Sequence, residues 1–200
     1  MANHWYKNMK KNILTNTKKF FHNKRGAVSL EFLFMLILLV FIFAFLTDLV
    51  IVRTTQGKLD NASYSLVNVL RERNQLYNDN GSKPLKSTDL TEYEKMAKLI
   101  LFGDKDSPNK VGVTIEHWEE KKSPESLTTL STCQPYRKLD NNLSYLSPRS
   151  EAANPDNQRK IPLYQVTLCV EAGSFFKNLI TRKENQSFGM LSSSSLAVAR

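Results

Sequence analysis

Acidic side chains are missing from the first 26 residues, a stretch that carries Lys7, Lys10, Lys11, Lys18, Lys19, Lys24 and Arg25. Histidine is scarce, with only His4, His22 and His117, and cysteine is limited to Cys133 and Cys169. Neither set supplies a histidine pair at helical spacing or a C-x2-C, so no metal site is predicted. The seven glycines form no phosphate-cradling run, and there is no G-x-S-x-G. The sequence therefore reads as no enzyme, with no catalytic residue and no cofactor. The net charge of +9 invites a nucleic-acid reading, but seven of those charges sit in residues 1–26. Residues 27–200 carry 21 positive against 19 negative side chains. A near-neutral body lacks the clustered basic face that phosphate binding requires, so no nucleic-acid partner is expected.

What is present is one long apolar run. Phe32–Leu46 is fifteen consecutive apolar residues, and Ala27–Val52 is interrupted only by Ser29, Glu31, Thr47 and Asp48. At about 1.5 Å per residue, Ala27 to Asp48 spans roughly 32 Å, the thickness of one hydrocarbon core. Cations precede the run and few follow it. By the positive-inside rule the N-terminus is cytoplasmic and residues 53–200 lie across the membrane.

Three kinds of N-terminal segment compete. A cleaved secretory signal needs small residues after its apolar core, and here the core is followed by Thr47-Asp48-Leu49-Val50-Ile51-Val52-Arg53. An uncleaved anchor and a prepilin-type leader are separated by what precedes the core. The chain reads Lys24-Arg25-Gly26-Ala27-Val28-Ser29-Leu30-Glu31, with a lone carboxylate inside the apolar stretch. An ionisable group there costs about 2.5–3.5 kcal/mol, whereas the helix macrodipole returns only about 0.3–1 kcal/mol. Glu31 therefore calls for a partner.

These residues resemble the type IV prepilin signature, and the layout is similar to the TadE/TadF-like minor pilins (pseudopilins) of the tight-adherence pilus system, TadF most closely. The resemblance implies a prepilin peptidase that recognises Lys24, Arg25, Gly26 and Ala27 and cuts after Gly26. The α-amine of Ala27 freed by the cut would stand i, i+4 from Glu31, which becomes the assembly carboxylate. The implied partners are other pilin subunits, an assembly platform in the inner membrane, and lipid before assembly. The implied function is a minor pilin of an adhesion and biofilm pilus. A minor pseudopilin of a type II secretion system shares the same N-terminal physics, and an uncleaved single-pass anchored periplasmic protein is the third alternative.

Three segments follow: a cytoplasmic leader 1–26, a membrane and pilus-core helix 27–52, and a periplasmic domain 53–200. Leu59, Ala62, Leu66, Val69, Leu70 and Leu76 recur at steps of three and four, so the helix is expected to continue to about Tyr77, with Gly57 a place to bend. Residues 78–84 read as a turn. A second helix from about Thr91 has Thr91 and Glu94 at capping-box spacing, a Tyr93, Met96, Ala97, Ile100 stripe and Gly103 to end it. Residues 111–115, 127–133 and 163–170 read as strands, 141–160 as a long loop and 174–180 as a short helix. Residues 191–198 read as a closing strand or a tail, and His117–Glu120 as a strand end entering a charged turn. The fold class is α+β, a long N-terminal helix packed on a small antiparallel sheet. Cys133 and Cys169, both beyond the membrane, are expected to pair in an oxidising periplasm, the alternative being two buried thiols.

Overall fold

The computed structural model describes residues 24–72, 85–150, 158–174, 176–177 and 187–199. The chain divides into two compact units, Met1–Asp48 and Leu49–Arg200. Helix α1 (Lys24–Arg71) contributes to both. It contains no proline, and from Ala27 to Gln56 no glycine, so nothing interrupts its hydrogen-bond ladder. It passes through Gly57 as continuous helix, without the bend anticipated there. Its last helical residue is Arg71, and the expected extension through Tyr77 and the turn at 78–84 lie outside the described residues.

In the second unit α1 buries Leu59, Ala62, Leu66, Val67 and Leu70. Val69, assigned to this stripe from the sequence, is exposed, because it stands about 100° round the helix from Leu70. Helix α2 (Ser87–Phe102) starts one turn earlier than expected. The Asp89 carboxylate accepts the Lys86 N–H at 3.0 Å, and the Lys86 carbonyl accepts from Leu90 at 3.4 Å. The Thr91–Glu94 spacing is thus inside the helix, where the Thr91 hydroxyl donates to the Thr88 carbonyl. The buried stripe is Leu90, Tyr93, Ala97 and Leu101, and Ile100 is exposed. Gly103 ends the helix as anticipated, at φ 76° with its N–H donating to Leu99 at 2.8 Å. That left-handed conformation favours glycine.

Four strands follow: β1 (Val111–Trp118), β2 (Glu125–Thr128), β3 (Leu163–Gly173) and β4 (Ser187–Val198). They form one antiparallel sheet in the order β2-β1-β3-β4. The fold is α+β, with helix laid on a small antiparallel sheet. Pleating sends Val111, Val113 and Ile115, with Tyr164, Val166, Leu168 and Val170, to one face, where α1 and α2 cover them. The expected strand 127–133 is displaced. It pairs at Glu125–Thr128, and the chain then turns, with the Cys133 N–H donating to the Leu130 carbonyl at 2.9 Å. The segment read as a long loop contains a 3-10 helix, Asn141–Leu146, capped by the Asp140 side chain, and a bridge between Arg149 and Lys160. Residues 191–198 are strand. Of the short helix expected at 174–180, residues 176–177 are helical and most of the rest lies outside the described residues.

Candidate functional site

Two features stand apart from ordinary packing. The first is the N-terminal part of α1. From Val28 to Ile51 every residue except Ala44 and Asp48 is exposed. Val28–Arg71 contains an 18-residue window of mean hydropathy 2.9 that is only 11% buried, long and apolar enough to cross a membrane. Two hydroxyls of this helix are satisfied by its own backbone. Thr47 donates its hydroxyl to the Phe43 carbonyl at 2.9 Å, and Thr55 donates to Ile51 at 2.8 Å. A hydroxyl satisfied by its own helix needs no water, a condition for residence in hydrocarbon. The Gly26–Ala27 peptide lies in the first turn of α1, together with Lys24 and Arg25. Glu31 follows one turn later, exposed, with no hydrogen bond or ion pair to it among the described residues.

The second feature is the face of the sheet away from the helices. It carries Gly112, Thr114, Glu116 and Trp118 on β1 and Leu163, Gln165, Thr167 and Cys169 on β3. All of these are buried, beneath an irregular segment running from Leu130 to Ser147. Cys133 is bonded to Cys169, with Cα atoms 5.6 Å apart. The strand is open beneath it: a Cβ on Gly112 would lie 2.7 Å from the Cys133 Cβ and 3.2 Å from the Leu130 side chain. Thr114 donates to the Cys133 carbonyl at 2.6 Å, and Gln165 donates to the Arg137 carbonyl at 2.9 Å. The Glu116 carboxylate accepts the Leu139 N–H at 3.3 Å. Burial pushes the Glu116 carboxyl above its ordinary value, although the Leu139 N–H, Lys138 and Ser126 all pull it down. Trp118 Nε1 donates to Asn141 at 2.8 Å, and its ring packs with Leu139, Leu143 and Leu163. Thr114, Glu116, Trp118 and Gln165 each meet a partner from the segment, so the loop is a fitted cover, while Thr167 pairs with the Ser194 hydroxyl of β4 at 2.8 Å.

Sequence reasoning did not find this cover. Its one legible signal was Gly112, since an isolated glycine within a strand marks close approach of another backbone. His117 stacks on Tyr164 with ring centroids 4.8 Å apart, and its Nδ1 lies 3.9 Å from the Glu125 carboxylate. Glu125 also accepts the Leu85 N–H at 2.9 Å, which makes the group a packing contact. Among the described residues no three His, Cys, Asp or Glu side chains gather to hold a metal. An open cleft of about 550 Å³ lies between the β1–β2 turn and the segment before β3, with Glu120, Lys121, Arg159 and Lys160 in its lining. Its charges are largely committed, with Glu119 on Lys122 at 2.9 Å and Glu120 on the Lys160 N–H at 3.0 Å.

The chain thus carries a long bare apolar helix and a small disulfide-closed α+β domain. Residues 19–200 match the family model TadF, described as "Putative tight adherence pilin protein F". The chain belongs to the TadF family. The match takes in both the apolar helix and the whole second unit. Comparison with curated proteins and with solved structures finds no match. TadF is a family of pilus structural proteins, not of enzymes, and membership makes this chain a component that meets other pilus subunits.

Proposed function

We propose that this TadF protein is a minor pilin of a tight-adherence pilus that mediates surface adhesion and biofilm formation. It is inserted in the bacterial inner membrane by α1, with its leader in the cytoplasm and residues 53–200 in the periplasm. A prepilin peptidase removes residues 1–26, and the assembly platform draws the helix from lipid into a bundle of pilin helices. The observation that carries this reading is the apolar surface of α1 from Val28 to Ile51, bare on nearly every side. Such a surface is stable only against lipid or against other apolar helices, and a pilin needs both in turn. Lys24 and Arg25 hold the cut site at the cytoplasmic face, and Gly26 leaves the peptidase pocket unobstructed.

Glu31 supplies what an apolar helix lacks, a mark of axial position. The Ala27 α-amine, with a reference pKa of about 8, lies about 6 Å along the axis from Glu31. A neighbouring subunit's carboxylate can neutralise that amine at only one stagger. Sequencing the N-terminus of protein from cells with active prepilin peptidase should read Ala27-Val28-Ser29, and recovery of intact Met1 throughout would leave the uncleaved anchor in its place. Glu31→Val should be inserted and cleaved yet absent from sheared pili. Assembly of that variant at wild-type levels would remove the register role.

A further inference from the structure

The two edges of the sheet are not protected alike. Strand β2 is four residues long, follows Pro124 directly and contains Glu125. Shortness, proline and charge are the means by which edge strands avoid pairing with another chain. Strand β4, at the opposite edge, is twelve residues long, SFGMLSSSSLAV, and has neither charge nor proline. The direction of its backbone can be read from its end. Ala199 donates its N–H toward β3, to the Pro162 carbonyl at 2.9 Å. Backbone groups alternate along a strand, so Ser195 and Ala197 also face β3, while Ser194, Leu196 and Val198 turn their N–H and C=O outward. Ser192, in the outward series, accepts from the Gln56 side chain at 3.3 Å, so α1 caps the edge at that point. From Ser194 to Val198 no described residue bonds the outward groups.

We infer that this edge pairs with β4 of a second copy of the chain, antiparallel, with Leu196 opposite its counterpart. In that register Ser194 meets Val198 of the copy, and every outward N–H and C=O from Ser194 to Val198 gains a partner. Leu196, 37% exposed, is covered by the same residue across the two-fold axis. The copy is the fitting occupant because a two-fold contact places one patch against itself. For most strands that opposes like charges, and β4 has none to oppose. The pairing requires neither cleavage nor a pilus, so its failure leaves the proposed function untouched.

The test uses the full chain in its own membranes. With Cys133 and Cys169 bonded to each other, Leu196→Cys adds one thiol at the two-fold axis. Opposed Cα atoms of a hydrogen-bonded pair stand about 5.5 Å apart, within disulfide reach. Mild oxidation should give a species of twice the chain mass, linked 196 to 196 by peptide mapping. It should form about tenfold faster than with Tyr136→Cys, a 95% exposed position away from the edge. Leu196→Lys, whose charges would face each other, should convert detergent-solubilised dimer to monomer while keeping the Cys133–Cys169 bond that reports folding. Equal rates for the two cysteine variants, a cross-link to a different protein, or an undiminished dimer in Leu196→Lys would each overturn the inference.

Discussion

The two faces of the sheet are both buried, by opposite means. The helix face is closed by surplus: Leu59, Leu66, Val67 and Leu70 from α1, and Leu90, Tyr93, Ala97 and Leu101 from α2, lie on Val113, Ile115, Val166 and Leu168. Apolar contact of this kind is non-directional and tolerates small shifts. The loop face is closed by fit. Thr114, Glu116, Gln165 and Trp118 must each meet a particular atom of the segment 130–147, and one disulfide holds that segment down. Beside the cluster of Trp118, Leu139, Leu143 and Leu163, this cover depends on a cross-link and on hydrogen bonds that are costly to leave unmade.

Four variants would break or sharpen this contrast. Replacing Cys133 and Cys169 together by Ala opens a loop of sequence separation 36. It should cost about 3–4 kcal/mol in chemical denaturation of the full chain in detergent. Loss of under about 1 kcal/mol would mean that the hydrogen bonds alone hold the cover. Gly112→Ala, which drives a methyl against Cys133, should cost about 1–3 kcal/mol. Most of that cost should vanish in the cysteine-free background, where the loop can lift, and a double-mutant cycle reads the difference.

Ser63→Ala acts on the helix face, at a buried cluster of serine hydroxyls. The Ser63 hydroxyl is fully buried and lies 3.1 Å from Ser193 and 2.8 Å from Ser195. Its removal should cost about 1 kcal/mol, with a lower Tm and no change at the loop face. The smallest effect is expected from Glu116→Gln, and it has the opposite sign at neutral pH. Burial raises the Glu116 carboxyl above 4.5 in the folded chain. Below that pH both folded and unfolded chains hold the proton. As pH rises toward the folded value the unfolded chain releases it first, and wild-type stability falls. The Tm of Glu116→Gln relative to wild type should therefore climb as pH rises from about 4 toward the folded value and then level off. A difference that stays flat over that range would mean the carboxylate is ionised without penalty.

Much of this protein could be read directly from its residues, because the signals are local. A bilayer-length apolar run and the three-and-four spacing of Leu59, Ala62 and Leu66 depend only on chain geometry. The alternation in β1 and the glycine ending α2 are equally local. The errors were local too: Asp89 begins α2 before Thr91 can, and Leu101 displaces Ile100 from its stripe. What only the tertiary structure decided was which polar residues go inside. Thr114, Glu116 and Gln165 alternate with apolar neighbours and look like a solvated face. They are buried because residues 130–147, which follow no period, fold back over them. A segment whose backbone follows no repeating period leaves no periodic trace in its side chains, and its place is set by partners distant in sequence. The same holds for the β4 edge: a run of serines and small apolar residues says strand, and only the sheet order places that strand at an edge.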